Sequence, residues 1–194
     1  MVGGLVNNLA DCGVQMQVGK TVFTIKKGDI TKEQVGAIIT GTTEKLTCGG
    51  NVDAAVHKIG GPSIAAELKQ LAAKLKQLPT GEVVITAPVK LKSEHLIHAV
   101  APAWHGGKKS EGEELSDAYY NSLVMAKEYG VTTIAFCGLS IGLGGYPLQN
   151  AAEVAIKTCK SFCEEKQCFD ELRFVLATDE EVQAFTAELI RDSH

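Results

Sequence analysis

Residues 131–147 read VTTIAFCGLSIGLGGYP, and this stretch decides the fold. Val131 to Cys137 is a short apolar run, which predicts a buried strand. Ser140 to Pro147 follows with Gly142, Gly144 and Gly145, and a helical pattern begins after Pro147. Glycines remove side chains where backbone N–H groups must approach another group closely. A strand that opens through such a loop into a helix is an anion site, because the helix start adds unpaired N–H donors and the positive end of its dipole. The stretch therefore points to a phosphate-containing ligand. A second junction is built alike: Cys48-Gly49-Gly50-Asn51 also follows a strand and opens a helix.

Outward from these loops, the chain alternates. Thr21–Lys26, Val35–Thr40, Glu82–Ala87, Leu96–Val100 and residues 171–177 read as strands. Helical spacing marks a helix from the Gly49–Asn51 turn through Ile59, then Ser63–Gln77 after the Gly60-Gly61-Pro62 break. Further helices fall at Gly112–Tyr129, 148–166 and from Asp179 onward. Strands alternating with helices predict a mainly parallel sheet covered on both faces. Ligands of such sheets bind beyond the carboxyl ends of the strands, where both glycine loops fall. Residues 1–18 read as a leader or an edge strand, and 19–194 as one domain. The glycine-containing start, Met1 to Asn8, is compatible with a domain cut from a longer chain.

A net charge of −4 argues against a general polyanion binder, so direct nucleic-acid binding is not expected. No apolar stretch approaches the roughly 20 residues of a membrane span, and no signal sequence is evident. The six cysteines, at 12, 48, 137, 159, 163 and 168, fit no usual zinc spacing, so no metal site is expected. Reduced thiols in an intracellular protein, nuclear or cytoplasmic, are the reading taken.

The ordered blocks resemble the macrodomain, an ADP-ribose-binding module. They are Gly28-Asp29-Ile30-Thr31, Ala37–Thr43, Gly49–Asp53 with Ala55-Val56-His57, Gly81–Thr86, His95–Pro102, Phe136–Pro147 and Arg173–Leu176. The likeness runs from about Thr21 to Leu189 and is nearest in flavour to macro-histone and ADP-ribosyltransferase-associated macrodomains. It implies a three-layer α/β/α sandwich with a central mixed, mainly parallel sheet. It also implies a monomeric domain whose partner is ADP-ribose or an ADP-ribosylated protein, with no cofactor.

By this resemblance, Asp29 accepts from the adenine amino group and the Ile30 backbone donates to the ring. The backbone of Ser140, Ile141, Gly142, Leu143, Gly144, Gly145 and Tyr146 would hold the diphosphate, with Gly50, Asn51 and Val52 closing from the other side. Asp53 and His57, one helical turn apart, match positions that hydrolytic members use at the distal ribose, where the acid activates water. Their plain reading is an acid favoured in a helix's first turn and a partly buried histidine. Three positions depart from the family. Thr43 replaces an asparagine that handles the distal ribose, Gly144 replaces a larger residue beside it, and Ala177 stands where many members stack an aromatic ring on adenine. Tyr146 and Phe136 are candidates to offset those losses. Adenine and diphosphate recognition survive these departures better than catalysis does. The leading reading is therefore an ADP-ribose binding module. The alternatives are an ADP-ribosyl hydrolase using Asp53, or a pocket-degenerate scaffold contacting protein or chromatin.

Overall fold

The computed structural model describes residues 6–7 and 13–191. Eight strands form one sheet: β1 (Val6–Asn7), β2 (Val14–Val18), β3 (Thr21–Lys27), β4 (Val35–Thr42), β5 (Val83–Thr86), β6 (Ser93–Val100), β7 (Thr133–Phe136) and β8 (Glu171–Leu176). Their order is β1-β2-β3-β8-β7-β4-β6-β5. The five inner strands, β3, β8, β7, β4 and β6, run parallel; β2 and β5 flank them antiparallel, and β1 pairs antiparallel with β2 at the outer edge. This is the mixed, mainly parallel sheet that the alternating pattern predicts. Helices α1 (Asn51–Gly60) and α2 (Pro62–Leu75) pack on each other, with α1 against β4 and α2 against β5. Helices α3 (Glu111–Glu128), α4 (Leu148–Lys166) and α5 (Asp179–Arg191) pack side by side as the other layer.

The inner strands are apolar on both faces because helices cover both. Ala37, Ile38 and Ile39 of β4 and Ile134, Ala135 and Phe136 of β7 are fully buried. One layer of the core is aromatic: Phe136 stacks on Phe174 with centroids 5.8 Å apart, and Phe174 meets Phe185 at 5.1 Å. Helix and strand ends move by up to three residues from those read in the sequence. The largest shift is at β6, which begins at Ser93 because Ser93 and His95 pair with Val35 and Ala37 of β4. Strands β1 and β2 occupy part of the 1–18 stretch, and the rest of it, with Cys12, lies outside the described residues.

The parallel register puts the carboxyl ends of β3, β8, β7, β4 and β6 along one rim. The segments that leave them are 28–34, 177–178, 137–147, 43–50 and 101–110, in that spatial order. Both glycine loops therefore lie side by side at the middle of the rim.

Candidate functional site

A cavity of about 980 Å3 runs along this rim, at the upper end of the roughly 300–1,000 Å3 of small-ligand sites. Its lining includes Thr43, Gly50, Asn51, Val52, Asp53, Ser140, Ile141, Gly142, Leu143, Gly144 and Ala177, so most of the residues read from sequence are brought together. Gly49 allows the 43–50 loop to fold back on β4, since a Cβ there would lie 2.3 Å from the Gly41 carbonyl oxygen. Gly142 has φ +81, a conformation that favours glycine, and a Cβ there would meet nothing within 4 Å.

The 140–146 loop spends part of its own hydrogen-bonding capacity. Gly145 N–H donates to Gly142 O at 2.9 Å and Tyr146 N–H to Ser140 O at 3.2 Å. The Ser140 hydroxyl donates to Pro102 O at 2.7 Å. Gly145 and Tyr146, both read as diphosphate donors, are thus bound within the loop, and neither lines the cavity. The N–H groups of Gly142 and Leu143, at the start of the short 3-10 turn over Gly142–Gly144, find no backbone acceptor within the loop. Tyr146 and Phe136, the candidates to offset the family's missing contacts, are both buried in the interior. Tyr146 is buried against Trp104, with centroids 4.6 Å apart, and Phe136 is fully buried in the aromatic core.

At one end of the rim, Ala177 lines the cavity together with Val175 and Glu181. Thr178 and Glu181 cap α5: Glu181 N–H donates to the Thr178 hydroxyl at 3.2 Å, and Glu181 Oε2 accepts from Ala177 N–H at 2.8 Å. Glu181 was not among the residues read as functional, although its Thr-x-x-Glu spacing is a visible capping signal. Asp29 and Ile30 sit one strand over, at the end of β3, and do not line the cavity. Asp29 Oδ1 accepts from the Thr31 hydroxyl at 2.6 Å and Thr31 N–H at 3.1 Å, and these bonds hold its carboxyl below the usual range. Its side chain is 46% exposed, so Oδ2 faces outward with Lys32 Nζ at 3.8 Å. The Ile30 side chain is buried, which leaves only its backbone for a ligand.

At the other end, the Thr43 hydroxyl closes a turn. It lies 2.7 Å from the Thr47 hydroxyl and accepts from Thr47 N–H at 3.2 Å. The hydroxyl that stands in place of the family's asparagine is therefore engaged within its own loop. Asp53, in the first turn of α1, is 2% exposed and forms the cavity floor. Burial pushes its carboxyl up, against the lowering pull of Gly49 N–H, which donates to Oδ2 at 2.8 Å. Oδ1 lies 3.3 Å from the Thr40 hydroxyl, 3.5 Å from His57 Nε2 and 3.9 Å from His98 Nδ1. His57 does not itself line the cavity. His98 escaped the sequence reading. It stands opposite Thr40 in the β4–β6 register, and burial lowers its imidazole to about 3.

Glu111 escaped too. It is 1% exposed at the start of α3, and its carboxylate accepts from the N–H groups of His105, Gly107 and Lys109 at 3.0, 3.0 and 2.6 Å. Burial alone would raise its carboxyl, but these donors, with its own N–H, hold it at about 2. The pinned loop delivers the Trp104 backbone N–H to Gly144 O at 2.8 Å, so it braces the 140–146 loop. An acid at a helix start was the only signal for this role. The described cysteines carry no disulfide, and burial pushes the Cys137 thiol up to about 12. No helix among the described residues is long and apolar enough to cross a membrane.

The Macro domain family matches residues 39–155 of this chain. A macro domain-containing protein of Caldanaerobacter subterraneus is 42% identical over 167 residues, which span 86% of this chain and 95% of that protein. An O-acetyl-ADP-ribose deacetylase of Klebsiella pneumoniae is 38% identical over 163 residues, 84% of this chain and 93% of that protein. The solved Oceanobacillus iheyensis macrodomain with ADP superposes with a TM-score of 0.87 at 30% identity, covering 91% of this chain and 94% of that one. These bacterial relatives lend no support to a chromatin or nuclear setting.

Proposed function

The chain belongs to the macrodomain family, and from that premise we propose that it binds ADP-ribose, free or linked to protein as mono-ADP-ribose. The nucleotide lies along the rim, with adenine between Asp29 and Ala177, the diphosphate between the two glycine loops, and the distal ribose over Asp53. One observation carries this reading: both glycine loops line one continuous cavity, and the N–H groups at the start of the 142–144 turn are not consumed by the loop. Bonds from N–H groups to a charged diphosphate contribute roughly 1.5–3 kcal/mol each and need no lysine or arginine, which suits an acidic chain. Calorimetric titration of ADP-ribose, with AMP and ADP as comparators, tests it. Micromolar or tighter binding of ADP-ribose is expected, and a blank for all three nucleotides would refute it.

The buried Asp53 carboxylate at the distal end favours a second reading, hydrolysis of a group attached to the distal ribose. The deacetylase name of the Klebsiella pneumoniae protein agrees with that chemistry. Asp53→Ala should then abolish release of the attached group while ADP-ribose still binds. Retained turnover in that variant would end this reading.

A further inference from the structure

We infer that Asp53, His57 and His98 form a binding site for a divalent transition-metal ion of the zinc type, directly behind the cavity floor. The three donor atoms lie within 4.8 Å of one another. His57 Nε2 and His98 Nδ1 are buried, and neither has a hydrogen-bond partner among the described residues. Buried polar nitrogens are rarely left so, and two that converge on one carboxylate oxygen call for a shared partner. Both face Asp53 Oδ1, at 3.5 and 3.9 Å.

Bond lengths of about 2.0–2.2 Å in tetrahedral geometry place donor pairs roughly 3.3–3.6 Å apart. The His57 pair is already at that spacing, and the His98 pair is a few tenths of an ångström beyond it. Asp53 and His57 stand at i and i+4 on α1, the spacing by which one helix face presents two ligands to an ion. The outer contacts are also in place. His98 Nε2 meets the Thr86 hydroxyl at 2.9 Å, which leaves Nδ1 turned toward Asp53, and Gly49 N–H holds Asp53 Oδ2 at 2.8 Å so that Oδ1 faces the histidines. Two imidazoles and one carboxylate suit zinc, nickel or cobalt. Magnesium and calcium prefer all-oxygen shells. Asp53 alone of the three lines the cavity, so the ion would fix the carboxylate that faces the distal end.

The test uses the whole chain, stripped with a chelator and free of nucleotide, so that its outcome does not depend on ADP-ribose binding. Calorimetric titration with Zn2+ should give one site per chain, and Mg2+ at the same concentrations should give no heat. Cobalt should add the visible absorption of a nitrogen- and oxygen-ligated, low-coordinate ion. His57→Gln and the isosteric Asp53→Asn, each checked for a native unfolding transition, should weaken zinc at least about 100-fold. Zinc binding of equal strength in both variants would overturn the proposal by placing the metal on surface groups or thiols. No zinc binding to the wild-type chain would overturn it as well, and would assign the two nitrogens to a buried water.

Discussion

Gly142 and Gly130 allow the diphosphate reading to be tested against backbone strain alone. Both have positive φ, +81 and +71, and at neither would a Cβ meet anything within 4 Å. Alanine at either position therefore introduces no clash with the protein, only the cost of holding an L-residue in a left-handed conformation, about 1–2 kcal/mol. Part of that cost is offset, because alanine has less freedom than glycine to lose on folding, roughly 0.4–1 kcal/mol. A net loss near 1 kcal/mol should lower the midpoint of thermal unfolding by about 2–4 °C in both variants. Their ligand binding should differ. Gly130 follows α3, far from the rim, whereas Gly142 starts a turn that lines the cavity. A methyl group there keeps a phosphate from close approach and removes at least one charge-assisted bond of about 1.5–3 kcal/mol, which is a 10- to 150-fold loss of affinity. Parallel calorimetry with ADP-ribose and a thermal melt of each variant measure both quantities. If Gly142→Ala binds within twofold of wild type, the loop does not hold the diphosphate. If Gly130→Ala loses as much affinity as Gly142→Ala, general destabilisation explains both.

Three further outcomes are expected. Asp29→Ala should reduce affinity for ADP-ribose and AMP together by about 10-fold or more, through loss of a charged acceptor, and equal affinity would remove Asp29 from the adenine end. Glu111 is held at about 2 against an ordinary 4.5, so its ionised form contributes stability that is full above pH 4.5 and lost as the pH falls toward 2. Urea unfolding at stepped pH should therefore show a shallower acid decline for Glu111→Gln than for wild type between those limits, and identical slopes would show that the pinned carboxylate does not stabilise the fold. Trp104 is the only tryptophan; its backbone N–H donates to Gly144 O and its ring packs on Tyr146, so ADP-ribose should change the intrinsic fluorescence. A spectrum unmoved at saturating ligand would mean the bracing loop does not feel the site.

The resemblance named the rim's chemistry, but which loop atoms stay available was not legible from it. In a one-dimensional reading, Gly145 and Tyr146 are as good as Gly142, and only the closed 140–146 turn shows that their N–H groups are consumed within it. Nor does the sequence show that the Thr43 hydroxyl bonds Thr47, a neighbour that the spacing does not advertise. Tyr146 and Phe136 carry aromatic rings, yet both face the interior.

Local sequence determined what depends on near neighbours. The period of the apolar residues set strands and helices to within three residues, and glycines marked both loops, where a side chain at Gly49 would clash and one at Gly142 would be strained. Alternation of the two element types then required a largely parallel sheet, whose carboxyl ends put both loops on one rim. What only the tertiary structure decided rests on contacts between residues distant in the chain. Asp53 meets His98, 45 positions later, because β4 and β6 pair in a register that sets Thr40 opposite His98. Ser140 reaches back to Pro102, and Trp104 to Gly144, because β6 and β7 flank β4 and the segments that leave them meet on the same rim. Periodicity carries no information about register between strands, and it is register that assembles the buried cluster beneath the cavity floor.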